Sequence, residues 1–154
     1  MSSTATERYF EDYPEGAVFE FGEISVTAEE IIAFATRYDP QPMHVDPAAA
    51  EAGAFGGLIA SGWHTAAIMM RLLADNFLSA ASSLASPGID ELRWIRPVRP
   101  GDTLSLRVTV LEATRSRSKP DRGMIRGLIE VLNQDGETVM SLKPMNLVRC
   151  RPGA

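Results

Sequence analysis

The chain has little cysteine, few basic residues in its first half, and no apolar run long enough to span a bilayer. Its only cysteine, Cys150, excludes an intramolecular disulfide and fits a reducing compartment. It reads as a strand or tail residue with no special task. The opening MSSTATERYFEDYPEG has no apolar segment of the kind a signal peptide needs, so a cytoplasmic location is expected. The most apolar stretch, GWHTAAIMMRLLADNFL (62–78), is interrupted by His64, Arg71, Asp75 and Asn76. It falls short of the roughly 20 apolar residues of a membrane helix, and no membrane partner is expected. The two histidines, His44 and His64, and the carboxylates of Asp39 and Asp46 show no H-E-x-x-H or similar spacing, so no metal is expected.

What is present suffices for one core. The chain has 154 residues, 45% of them apolar and 23% charged, and reads as a single domain over 1–154 with an irregular lead-in at about 1–16 and a short tail at 150–154. The net charge of −5 conceals an asymmetry: residues 1–92 carry three basic against fourteen acidic residues, whereas 93–126 carry nine basic against three acidic. A local positive field of this kind suits a phosphate-bearing small molecule. An acidic chain without a recognisable nucleic-acid motif does not suit DNA or RNA, and no nucleic-acid partner is expected.

Along the chain, VFEFGEISV (18–26) is strand-like with a bend or bulge at Gly22. Thr27 and Glu30 form a capping-box pattern ahead of a helix ending near Arg37-Tyr38, since Pro40 disfavours helical geometry at Asp39. Residues 39–46 read as a loop held by Pro40 and Pro42. Asp46-Pro47 is an N-cap followed by proline at the first helical position, which predicts a short helix over AAAEA. Helix 62–78 is apolar nearly all round and is expected to be wrapped on several sides. SAASSLASPG (79–88) reads as a connection closed by a Pro-Gly turn. IDELRWIRPV (89–98) is strand-like, and DTLSLRVTVLEA (102–113) puts Leu104, Leu106, Val108 and Val110 on one face. MIRGLIEVLN (124–133) and ETVMSLKPMNLVR (137–149) flank a hairpin signal, Gln134-Asp135-Gly136. Pro144 predicts an edge position or a bulge in the last strand. The fold class is α+β, a sheet of long antiparallel strands with one apolar helix to wrap.

The chemistry concentrates in YDPQPMHVDPAAAEAGAFGGLIASG (38–62). Asp39, His44 and Asp46 precede Ser61-Gly62, where the apolar helix begins. Ionisable groups beside a helix N-terminus are the parts needed to add or remove water next to a carbonyl. Asp39 alone also suits a turn, and His44 alone a hydrogen-bonded buried histidine. Asp46 is assigned to capping rather than catalysis. Gly62 has two readings: an N–H donor for an oxyanion, or a glycine needed for tight helix–sheet packing. Ser61 lacks a G-x-S-x-G elbow and is not read as a nucleophile. Trp63, Met69, Met70 and Phe77 either line a pocket or belong to the core.

The frame D-x-x-P-x-H-x-D (Asp39, Pro42, His44, Asp46), followed by a small-residue segment and Gly62, resembles the MaoC-like dehydratases and (R)-specific enoyl-CoA hydratases of the hotdog fold. A weaker match is RPVRPGD (96–102), and the resemblance spans roughly 10–150. The (R)-hydratase pattern has Gly before the Asp and Asn two positions after it, where this chain has Tyr38 and Gln41. The place of a helix serine found in some relatives falls to Ala67. The resemblance implies a lyase. Asp39 and His44 would hold one water that adds to C3 of a trans-2-enoyl-CoA to give an (R)-3-hydroxyacyl-CoA, with Gly62 N–H at the thioester oxygen. It implies an acyl-CoA thioester as substrate with no further cofactor, Arg93, Arg96, Arg99 and the 115–122 loop as candidates for the CoA phosphates, and a homodimer or multiple of it. Two competitors remain, a hotdog acyl-CoA thioesterase and a non-catalytic acyl-CoA-binding hotdog. Asp75, at the far end of the helix, is a poor thioesterase acid.

Overall fold

The computed structural model describes residues 7–153; residues 1–6 of the lead-in and residue 154 of the tail lie outside the described residues. Five strands, β1 (Val18–Ser25), β2 (Ser83–Trp94), β3 (Thr103–Arg115), β4 (Arg122–Leu132) and β5 (Thr138–Arg149), form one sheet in the order β1-β3-β4-β5-β2, with every neighbouring pair antiparallel. Four helices, α1 (Ala28–Tyr38), α2 (Pro42–Val45), α3 (Pro47–Ala52) and α4 (Gly62–Asn76), all lie between β1 and β2 in sequence.

The alternation in β3 has the consequence expected of it. Leu104, Leu106, Val108 and Val110 are buried and join Ile125, Ile129 and Val131 of β4 and Leu142 of β5 around Ile68, Met69, Leu72 and Leu73 of α4. Each such side chain contributes about 1.5–3 kcal/mol on burial. This sheet-around-helix core is the expected hotdog arrangement. One end is closed by aromatic rings: Tyr13, Phe19, Phe21 and Phe77 pack together, and the Tyr13 hydroxyl donates to the Phe77 carbonyl at 2.6 Å. The lead-in therefore carries a core residue as well as a short 3₁₀ turn, Phe10–Asp12. Met69 and Phe77 are core, while Trp63 and Met70 are exposed.

Local chemistry sets the helix starts. Thr27 Oγ1 accepts from the Glu30 N–H at 3.2 Å and donates to the Glu30 carboxylate at 2.8 Å. Asp46 accepts from the N–H groups of Ala48 and Ala49, which is the capping role assigned to it.

Three local expectations are corrected. Residues 42–45 form one helical turn, α2, because Pro42 supplies the fixed φ of a first helical position. The 79–88 segment is not closed by a turn: β2 begins at Ser83 and runs through Pro87-Gly88, which is tolerated because β2 is an edge strand and its register with β5 shifts between Ala85 and Gly88. Pro144 lies in β5, an inner strand, opposite Ile89. The nearby irregularity is carried by β2, where the register shifts between Asp90 and Arg93 and Glu91 takes φ 51°. Helix α4 is wrapped on several sides, as expected, and one stripe is left open. Trp63, Ala67, Met70 and Ala74, one helical turn apart, face outward.

Gly22 produces the expected bulge: the β1–β3 register shifts between Phe21 and Ile24, Gly22 has φ 86°, and a Cβ there would press on the Leu72 methyls. Gly22→Ala should lower unfolding free energy by about 2 kcal/mol through left-handed strain and displacement of Leu72, measured by urea denaturation.

Candidate active site

Asp39 sits at the C-terminal cap of α1, where Pro40 stops the helix, and its N–H still donates to the Ala35 carbonyl at 2.8 Å. The chain then turns directly into α2, which carries His44 inward to 5% exposure. The segment that follows α3 returns past α2. Its Ile59 N–H donates to Met43, and the Ala60 N–H donates to Val98 beyond β2. That stitching puts the Ile59 carbonyl 2.7 Å from His44 Nδ1. A carbonyl only accepts, so Nδ1 bears a proton and Nε2 is the nitrogen that faces Asp39, 3.4 Å from Oδ2. At that distance the two groups converge without forming a close direct bond.

The carboxylate is held by donors on both oxygens. Gln41 Nε2 donates to Oδ1 at 2.6 Å, and Ser61 Oγ donates to Oδ2 at 2.7 Å. The Gln41 amide first and the Ser61 hydroxyl second keep the Asp39 carboxyl below the usual carboxylate range, against a smaller opposing effect of burial. Asp39 is therefore an anion at neutral pH.

Gly62 is the first residue of α4, and no hydrogen bond to its N–H exists among the described residues. Its missing Cβ has a clear structural use, since a Cβ there would enter the Trp94 indole, whose Nε1 donates to the Gly62 carbonyl at 2.9 Å. The packing reading of Gly62 is thus satisfied by Trp94, and the free N–H stands beside it. Asp39, His44 and Gly62 line one cavity of about 390 Å³ with Met43, Phe55, Ile59, Trp63, Thr65, Trp94 and Arg96 among its walls. This is within the range of small-molecule sites. Trp63 and Trp94 meet edge to face at 5.1 Å.

The candidate arginines separate. Arg96 lines the cavity and pairs with Glu137 at 3.1 Å. Arg99 donates to the Phe55 carbonyl at 2.6 Å and so braces the cavity wall. Arg93 donates to the Leu92 carbonyl, beside it in the chain. The 115–122 loop lies at the other end of the 13-residue β3, roughly 40 Å along the strand from Asp102. Ala67 is exposed and does not line the cavity; Ser61 brings the hydroxyl to Asp39 instead. Sequence reasoning missed this bond and the place of Trp94. From sequence Ser61 is weighed only as a nucleophile and set aside, and nothing local in β2 marks Trp94.

This fold is that of a hotdog protein of the MaoC-like kind. The chain belongs to the MaoC like domain family, which matches residues 11–129. A MaoC-like dehydratase from Rhodospirillum rubrum superposes with a TM-score of 0.88 at 44% identity, covering 95% of this chain and 99% of that one. The (R)-hydratase PhaJ1 from Pseudomonas aeruginosa gives 0.75 at 25% identity, covering 93% and 86%. The uncharacterized protein YdeM of Bacillus subtilis is 33% identical over 124 residues, covering 80% of this chain and 86% of that protein.

His64 faces away from this chemistry. It is buried, stacks on Phe34 at 4.8 Å and 9°, and its Nδ1 has no partner among the described residues. Burial pushes its pKa down, against a smaller opposing pull from Glu30. The unfolded chain then binds the proton more readily than the fold does, so stability falls as pH drops below the ordinary histidine value of about 6.5. His64→Phe, which keeps a ring against Phe34, should flatten the loss of stability between about pH 7 and about pH 5 in urea titrations.

Proposed function

We propose that the protein interconverts a trans-2-enoyl-CoA and an (R)-3-hydroxyacyl-CoA. The observation that carries this reading is the convergence of Asp39 Oδ2 and His44 Nε2, 3.4 Å apart, on a cavity also lined by Gly62, whose N–H has no hydrogen bond among the described residues. A water held between carboxylate and imidazole is polarised for attack on C3. Its oxygen forms the new C–O bond, one of its protons passes to the Asp39–His44 pair, and a proton is delivered to C2 on the same face. The reverse sequence expels water. The two groups act as one coupled unit. Negative charge that develops on the thioester oxygen is stabilised by the Gly62 N–H at the positive end of α4, a contribution of about 3 kcal/mol for one such donor.

The wider family membership and the likeness to an (R)-hydratase support this class of reaction. The apolar walls formed by Met43, Phe55, Ile59 and Trp63 suit an acyl chain, and Arg96 at the cavity suits an anionic group of CoA. No cofactor beyond the thioester is required, and the reaction fits a cytoplasmic enzyme; among the described residues no helix is long and apolar enough to cross a membrane. The thioesterase alternative gains no support from Asp75, which is exposed and paired with Arg71 at the far end of α4.

The same proposal includes a homodimer or a multiple of it. β2 is an edge strand carrying the exposed Ile89 and Trp94, and the outward stripe of α4 continues that apolar surface through Trp63 and Met70. Pairing two copies along this edge covers both features. Sedimentation equilibrium at micromolar concentration should return the mass of a dimer or a multiple; a stable monomer would contradict the assembly.

A panel of short, long, branched and dicarboxylic enoyl-CoA esters tests the chemistry by loss of enoyl absorbance. Wild type should hydrate at least one ester, and Asp39→Asn and His44→Ala should each lose about 100-fold or more in kcat. Release of free CoA from saturated esters would point to the thioesterase.

A further inference from the structure

Three features lie outside the acid/base pair: a charged recess on the sheet formed by Asp90, Glu91, Arg126 and Lys143, the unpartnered His64, and the buried hydroxyl of Ser61. The recess is closed by its own ion pairs, Asp90–Arg126 and Glu91–Lys143, and His64 stacks on Phe34 away from the cavity lining. Ser61 is different. It is 0% exposed, its proton is given to Asp39 and its oxygen caps α4.

We infer that Ser61 is the positioning residue of the active site, holding Asp39 Oδ2 toward His44 and coupling the acid to the N-terminus of α4. This rests on the hydratase reading above. Its hydroxyl donates to Oδ2 at 2.7 Å and accepts from the Trp63 N–H at 3.3 Å. One oxygen thereby serves as helix cap and as carboxylate clamp. The proton of Ser61 points at Asp39, which leaves the hydroxyl bonded to the acid rather than to His44. Oδ2 is the oxygen that faces Nε2, so the clamp acts on the reacting side of the carboxylate, whereas Gln41 holds the far oxygen. Because the Ser61 backbone leads directly into Gly62, the carboxylate and the open N–H are held at a fixed separation. Around Asp39 the groups that set its state are Gln41 from the α1–α2 turn, Ser61 ahead of α4 and His44 from α2.

A bland alternative is that Ser61 matters only as a helix cap. Two variants separate them, since Gly serves as an N-cap nearly as well as Ser but Ala does not, and neither carries a hydroxyl. The readouts are urea stability, kcat and KM on the best enoyl-CoA ester, the pH dependence of kcat, and a ¹³C NMR titration of the Asp39 carboxyl without substrate. The clamp predicts that Ser61→Ala and Ser61→Gly both lower kcat by about tenfold with KM changed by less than about twofold. It also predicts that both move the Asp39 titration and the acid limb of kcat upward in pH, while only Ser61→Ala loses the cap's stability. Ser61→Thr, which retains the hydroxyl, should restore the wild-type titration. An unshifted Asp39 titration in the folded Gly variant, or a kcat within about twofold of wild type, would overturn the inference. Should wild type hydrate no ester, the hydratase reading fails on its own, and the substrate-free titration still decides whether Ser61 clamps Asp39.

Discussion

The site depends on one backbone carbonyl. By accepting from His44 Nδ1, the Ile59 oxygen determines which ring nitrogen is left to face Asp39. Were that segment displaced, the imidazole would have no fixed tautomer and no fixed plane. The carbonyl is in turn held by its neighbours, because the Ile59 and Ala60 N–H groups donate to Met43 and Val98. Thus the loop between α3 and α4 orients the histidine through its backbone.

A second constraint acts on the acid. Asp39 lies where α1 is forced to stop, and its two oxygens are claimed by residues on either side of the break, Gln41 nearby and Ser61 from a distant segment. The Gln41 contact gives physical content to one departure from the (R)-hydratase pattern. The residue two positions after the acid is still an amide, and here it donates to Oδ1. The Ala67 departure has a different resolution, since that position faces outward and the hydroxyl comes from the residue before the helix.

Much of the fold was legible because its signals are local and periodic. Leu104 to Val110 alternate, Thr27 and Asp46 cap, and Gly22 interrupts its strand, so each could be assigned from a window of a few residues. The D-x-x-P-x-H frame was legible in the same way, since five positions of chain carry both members of the pair across one tight break. What escaped depends on contacts between remote segments. Ser61 meets Asp39 across 22 positions and Trp94 meets Gly62 across 32, and no periodicity encodes either. The prolines misled for a related reason. Pro42, Pro87 and Pro144 exclude certain hydrogen bonds, but whether the chain answers with a loop, an edge or a bulge in the neighbouring strand depends on what lies alongside.

The Gly62–Trp94 contact carries an implication for variation in this protein. The two positions share a single volume: the indole occupies the space that any side chain at 62 would need, and its N–H is spent on the same residue's carbonyl. Residue 62 can therefore grow only if residue 94 shrinks, and a smaller residue at 94 would also strip one cavity wall and release the first carbonyl of α4. The two sites form a size-complementary pair in which neither can drift alone.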